Sequence, residues 1–113
     1  MWAAVILTLT SIPAPDLAPV GAFAFPGADK LVHAGLYGVL GLLLARAVGA
    51  AAPRRTLGRV MLGVLAFACL DEWHQRFIPG RSAEMLDVVA DVAGAAAGLA
   101  AATFLLRRRI PQP

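Results

Sequence analysis

The sequence predicts an all-α fold: a transmembrane helical bundle of about four helices, one domain over residues 1–113, with N- and C-termini cytoplasmic. Three observations predict it. The chain is 59% hydrophobic and 15% charged, where ordinary soluble domains carry roughly 25% charged residues. Its apolar residues fall in helix-length runs, close to the roughly 20 residues that span a hydrocarbon core. Its arginines gather beside those runs in two clusters, Arg54/Arg55/Arg59 and Arg107/Arg108/Arg109, as orientation signals in membrane proteins do.

The elements follow in order. Residues 1–12 are apolar, and no Lys or Arg precedes Lys30, so the basic start of a signal peptide is missing and the segment reads as a first transmembrane helix. Residues 13–27 hold four prolines and two glycines, which makes them an irregular connection. A second helix covers residues 31–52 and is stopped by Pro53. A third covers 57–75, and Ile78-Pro79-Gly80 turns the chain into a fourth over 86–106. Basic residues in short loops stay in the cytoplasm. The Arg54–Arg59 loop and the Arg107–Arg109 tail are then inside, and the 13–30 and 76–84 connections outside. An even number of spans satisfies this, so four fit and three do not. Arg46 snorkels at the cytoplasmic end of its helix. Trp2 and Trp73 mark interfaces. Cys69 is the sole cysteine, which excludes an intramolecular disulfide, and it reads as a small packing residue.

The run Asp71-Glu72-Trp73-His74-Gln75-Arg76, with Arg81, Glu84, Asp87 and Asp91, carries five of the seven acidic residues. Charges in or beside membrane helices are costly and mark functional sites by default. With Asp29, Lys30, His33 and Tyr37 opening the second helix, three helix ends bring polar groups to the outer side. Asp71 and Gln75, His33 and Tyr37, and Asp87 and Asp91 are each four apart, hence on shared helix faces. They predict a polar cup at the outer mouth of the bundle. The expected ligand-binding set is Lys30, His33, Tyr37, Asp71, Glu72, Gln75, Arg81, Asp87 and Asp91. His33, Asp71, Glu72, Asp87 and Asp91 are the candidates for acid–base chemistry. Arg81 is placed to close the cup and to bind carboxylate or phosphate.

Structural roles for the same residues stay open. Lys30, Arg76 and Glu84 suit the headgroup zone as anchors. Asp29 suits a helix cap, and Asp87 suits the macrodipole at a helix start. Arg81 with Asp87 and Glu72 suits an ion-pair network. His33 and His74 lie in no metal-binding spacing such as HExxH, and no metal or cofactor is expected. Gly94-x-x-x-Gly98, extended by Ala90 and Ala102, is a small-residue stripe for close helix packing. It is expected to pack within the chain against the helix at 57–75. No P-loop, GxGxxG or GxSxG occurs. A cytoplasmic nucleotide-driven enzyme and a nucleic-acid partner are therefore not expected.

Ser11-Ile12-Pro13, Asp29-Lys30-Leu31-Val32-His33 with Tyr37, Asp71-Glu72-x-x-Gln75, Pro79-Gly80-Arg81, Asp87, and Asp91-x-x-Gly94 with Gly98 together resemble the VanZ-like family of small bacterial membrane proteins. The resemblance covers most of the chain. It implies a multi-pass protein of the bacterial cytoplasmic membrane. The family is linked to resistance to the glycopeptide teicoplanin and carries no established biochemical activity. The last motif of the family often has Asn where this chain has Asp91, which adds an ionisable group to the cup. The leading functional expectation is an envelope protein binding a lipid or lipid-linked anionic headgroup at the outward site. The alternatives are an intramembrane hydrolase or transferase on a lipid-linked substrate, and a structural or regulatory bundle held by salt bridges. A transporter is a weaker fourth, because the polar groups sit at one face. Its partner would be a membrane lipid or envelope precursor, and a homo-oligomer stays open.

Overall fold

A computed structural model describes residues 1–11, 28–81 and 83–111. These form four helices and no strands: α1 (Trp2–Thr10), α2 (Ala28–Val48), α3 (Arg54–Gln75) and α4 (Met85–Arg108). The expected 13–27 connection lies outside the described residues. α2 and α4 are long and apolar enough to cross a membrane, with mean hydropathies of 1.7 and 1.8. α3 has 22 residues but carries Arg54, Arg55 and Arg59 at one end and Asp71 and Glu72 at the other. α1 has nine residues. At 1.5 Å per residue it reaches only about half of a roughly 30 Å core.

Two boundaries differ from expectation for a local reason. α2 ends at Val48, not near residue 52, because Gly49 adopts φ +85 and its N–H donates to Ala45 O at 3.0 Å. A glycine in the left-handed region is the usual helix stop. Pro53 does not end α2; it precedes Arg54 as the N-cap of α3 at φ −70. Its ring conformation suits a helix start, and its carbonyl accepts from the N–H groups of Thr56 and Leu57. α3 therefore takes in the arginines that hydropathy alone leaves out.

The α3–α4 connection is a tight turn. Arg81 N–H donates to Ile78 O at 3.1 Å, with Pro79 and Gly80 in the middle and Gly80 at φ +73. Proline followed by a positive-φ glycine is the pattern of a type II turn.

The small-residue stripe of α4 packs on α2 rather than on α3. A Cβ added at Gly94 would land in the Ala34 backbone, and one at Gly98 in the Gly38 backbone. A Cβ at Gly41 would strike Ala95 of α4 in return. The close approach is possible because both faces lack bulk: Ala34, Gly38 and Gly41 meet Gly94, Ala95 and Gly98. On α3, Gly58 and Gly63 have open space around them, so that helix offers no matching seam.

Ile6, Tyr37, Val64, Ala68, Val88 and Ala95 form the main core, joined by Trp2, Leu36 and Phe67. A second cluster, Ala45, Leu99 and Ala102, closes the opposite end. Leu31, Leu62, Leu70, Trp73, Leu86, Val89, Phe104 and Leu105 are exposed. An apolar surface of this extent suits hydrocarbon rather than water.

Candidate functional site

Among the described residues eight polar or charged side chains are buried, and seven of them lie at the end where α2 begins, α3 finishes and α4 begins. They are Thr10, His33, Asp71, Glu72, Gln75, Asp87 and Asp91. Buried polar groups need partners, and most of these find them across helices.

Asp71 of α3 accepts two hydroxyl hydrogen bonds. Thr10 Oγ1 donates to Oδ1 at 2.7 Å, and Tyr37 OH donates to Oδ2 at 3.1 Å. One carboxylate thus ties α1, α2 and α3 together. His33 Nδ1 lies 2.8 Å from Asp91 Oδ1, joining α2 to α4. The two pairs share one electrostatic environment. Tyr37 is within reach of Asp71, Asp91 and Glu72, and His33 of Asp91, Asp87 and Asp71.

Lys30 sits at the rim. Its Nζ donates to Asp29 Oδ2 at 3.2 Å, Glu84 Oε2 at 2.9 Å and Asp87 Oδ1 at 3.1 Å. An ammonium has three donors, and all three are used. The carboxylates of Asp29, Glu84 and Asp87 present oxygens within 4.8 Å of one another, a spacing a cation can exploit, and here the lysine supplies the positive charge. Glu84 also donates its backbone N–H to Glu72 Oε1, which folds the turn over the end of α3. Arg81 is half-buried in that turn.

Four buried side-chain atoms have no hydrogen-bond partner among the described residues: Glu72 Oε2, His74 Nδ1, Gln75 Nε2 and Asp91 Oδ2. Three of them belong to the expected cup. They offer two acceptors and one amide donor, a pattern complementary to a polar group that brings both donors and acceptors.

Every residue of the expected ligand set thus lies at one end of the molecule. Three further contacts were not legible in the sequence. Thr10 reads only as the end of an apolar run, yet it holds Asp71. Trp2 reads as an interface marker, yet its indole N–H donates to Leu36 O at 2.8 Å. Glu84 reads as an exposed anchor, and it grips both Lys30 and Glu72.

The model of the VanZ/LLP1 family matches residues 3–107, nearly the whole chain. The protein belongs to the VanZ/LLP1 family. No curated protein and no solved structure matches it. The matched span takes in α1 through most of α4, so every buried polar residue described above falls inside the VanZ/LLP1 domain. Membership together with two helices apolar enough to span makes this a membrane protein.

Proposed function

We propose that this VanZ/LLP1 protein is a multi-pass protein of the bacterial cytoplasmic membrane, a bundle of about four helices with both termini inside. Its outward polar cup binds the headgroup of a lipid or lipid-linked envelope precursor. The observation that carries the reading is the trio Glu72 Oε2, Gln75 Nε2 and Asp91 Oδ2, buried and unpartnered among the described residues. An orphaned buried polar atom costs about 1–3 kcal/mol, and three at one helix-end cluster support a site completed by a ligand. The surrounding apolar surface favours a ligand that arrives through the bilayer. Arg81, half-buried in the turn, supplies a guanidinium for an anionic headgroup.

Native mass spectrometry of the protein released from nanodiscs of bacterial lipid tests this. The parent chain should retain a specific lipid. Gln75→Met, which keeps the volume and removes the amide, and Arg81→Gln should both lose it while remaining folded. Retention unchanged in both variants would sink the reading.

The His33–Asp91 pair favours a second reading. A carboxylate on one ring nitrogen orients an imidazole for proton transfer, as an intramembrane hydrolase or transferase on a lipid-linked substrate would need. Turnover of the retained lipid, abolished in His33→Gln, separates catalysis from binding.

A further inference from the structure

The cup adjoins an opening at its side. Between α3 and α4 lies a groove of about 250 Å³ lined by Cys69, Glu72, Trp73, Arg76, Met85 and Val88, among others. On α3, positions 69, 72, 73 and 76 follow the spacing of one helix face, and they run from mid-helix to its outer end over roughly 10 Å. The deep part, at Cys69 and Val88, is apolar. The shallow part carries one carboxylate and one guanidinium, Glu72 and Arg76. Glu84 also lines the groove, but its carboxylate is engaged by Lys30. Glu72 is different: one oxygen accepts from the Glu84 backbone, while the other, Oε2, is buried and unpartnered among the described residues.

An occupant must therefore place hydrocarbon on Cys69 and Val88, and just above it a hydrogen-bond donor for Glu72 and an anion for Arg76. A cationic donor meets a carboxylate better than a neutral one, because charge-assisted hydrogen bonds are roughly twice as strong. A phosphodiester next to a primary ammonium has both charges at the right end of an acyl chain. A quaternary ammonium has no N–H to give. A glycerol headgroup gives only neutral hydroxyls.

We propose that the α3–α4 groove seats one acyl chain of an aminophospholipid, with its ammonium held by Glu72 and its phosphate by Arg76. This rests on the reading that the cup takes a lipid headgroup, and it adds the lipid class and the route: sideways from the bilayer, between α3 and α4.

Trp73 lines the groove and is one of only two tryptophans, so it reports occupancy. Trp2→Phe in the full chain leaves Trp73 as the sole indole. The protein is placed in phosphatidylcholine vesicles containing equal mole fractions of brominated phosphatidylethanolamine, phosphatidylglycerol or phosphatidylcholine. Bromine quenches tryptophan on contact. Phosphatidylethanolamine should be preferred at Trp73 by roughly threefold or more, the size of one net hydrogen bond. Glu72→Gln and Arg76→Gln should each return the preference to parity. Arg76 is exposed, so its variant keeps the fold. If Trp2→Phe does not fold, the native chain compared with Trp73→Phe gives the same difference signal.

Equal quenching by the three lipids, a preference for phosphatidylglycerol, or a preference that survives both substitutions would overturn the proposal. The cup reading fails separately. Parity in quenching, with retention lost in Gln75→Met, overturns the groove and leaves the cup. A phosphatidylethanolamine preference that Glu72→Gln removes, with retention unaffected by Gln75→Met and Arg81→Gln, supports the groove and overturns the roles of Gln75 and Arg81 in holding the headgroup.

Discussion

His33 and Asp91 meet at 2.8 Å across the seam between α2 and α4, with both side chains buried. The pair exists because the two helices approach closely, with Gly94 of α4 resting on Ala34, the residue after His33. Removing one partner strands the other in a buried setting, which costs more than the bond itself is worth. We therefore expect His33→Phe and Asp91→Leu each to be destabilising, and the double variant to be less so than their sum. The coupling should be about 1 kcal/mol, since membrane-protein cycles run lower than vacuum reasoning suggests. Unfolding in mild detergent measures it, and strict additivity would mean that the pair contributes nothing of its own.

The seam itself makes a sharper prediction. Gly98→Ala puts a Cβ into the Gly38 backbone, which cannot rotate out of the way. The helices must part, at a cost of about 1–3 kcal/mol. Gly63→Ala on α3 meets nothing within 4 Å and should be neutral or stabilising by up to about 1 kcal/mol. The expected result is a lower melting temperature for Gly98→Ala and no drop for Gly63→Ala, with lipid retention following the first. Equal behaviour of the two variants would show that the seam is not tight.

How much of this is legible in the sequence depends on the kind of information. Hydropathy and punctuation reveal that α2, α3 and α4 exist, because apolar length and the Pro79-Gly80 turn are local signals. They misjudge where α2 stops, since Gly49 and Pro53 both look like stops and only the backbone conformation chooses. The gathering of Asp71, Glu72, Asp87 and Asp91 at one end is legible because four-residue spacing defines a face. Which groups pair is not legible, because periodicity names a face and not its neighbour. Lys30 reads as an anchor, yet it is saturated by three carboxylates. The Gly94–Gly98 stripe is visible, but its partner is decided by the matching lack of bulk at Ala34, Gly38 and Gly41.

Among the described residues α1 is held to the other helices by few polar contacts, so its docking can be tested directly. Thr10 gives Asp71 one of its two hydroxyl donors, and Trp2 ties the other end to the Leu36 carbonyl. Thr10→Val keeps the shape and removes the donor. It should cost about 1–2 kcal/mol and raise amide exchange in α1 more than in α4. Adding Trp2→Phe should raise it further. Tyr37→Phe removes the second donor to Asp71 and should loosen α2 against α3 instead. Uniform exchange changes across all four helices in every variant would show that α1 is not a separately docked element.

Orientation in the membrane is the remaining expectation, and the arginines carry it. Arg54, Arg55 and Arg59 lie at the start of α3, and Arg107 and Arg108 end α4. The carboxylate-rich ends of α2, α3 and α4 lie opposite. Arg107 Nε donates to Ala50 O at 3.1 Å, which places both basic clusters at one end of the molecule. Basic residues in short loops resist translocation, so that end should face the cytoplasm and the cup should face out. Alkaline phosphatase, which is active only outside, should be inactive when fused after residue 113 and active when inserted after Gly80. Replacing Arg54, Arg55, Arg59 and Arg107–Arg109 by Gln should mix the two orientations. Activity at the C-terminal fusion of the parent chain would invert the protein and place the carboxylate cup in the cytoplasm, where it would meet the inner leaflet instead.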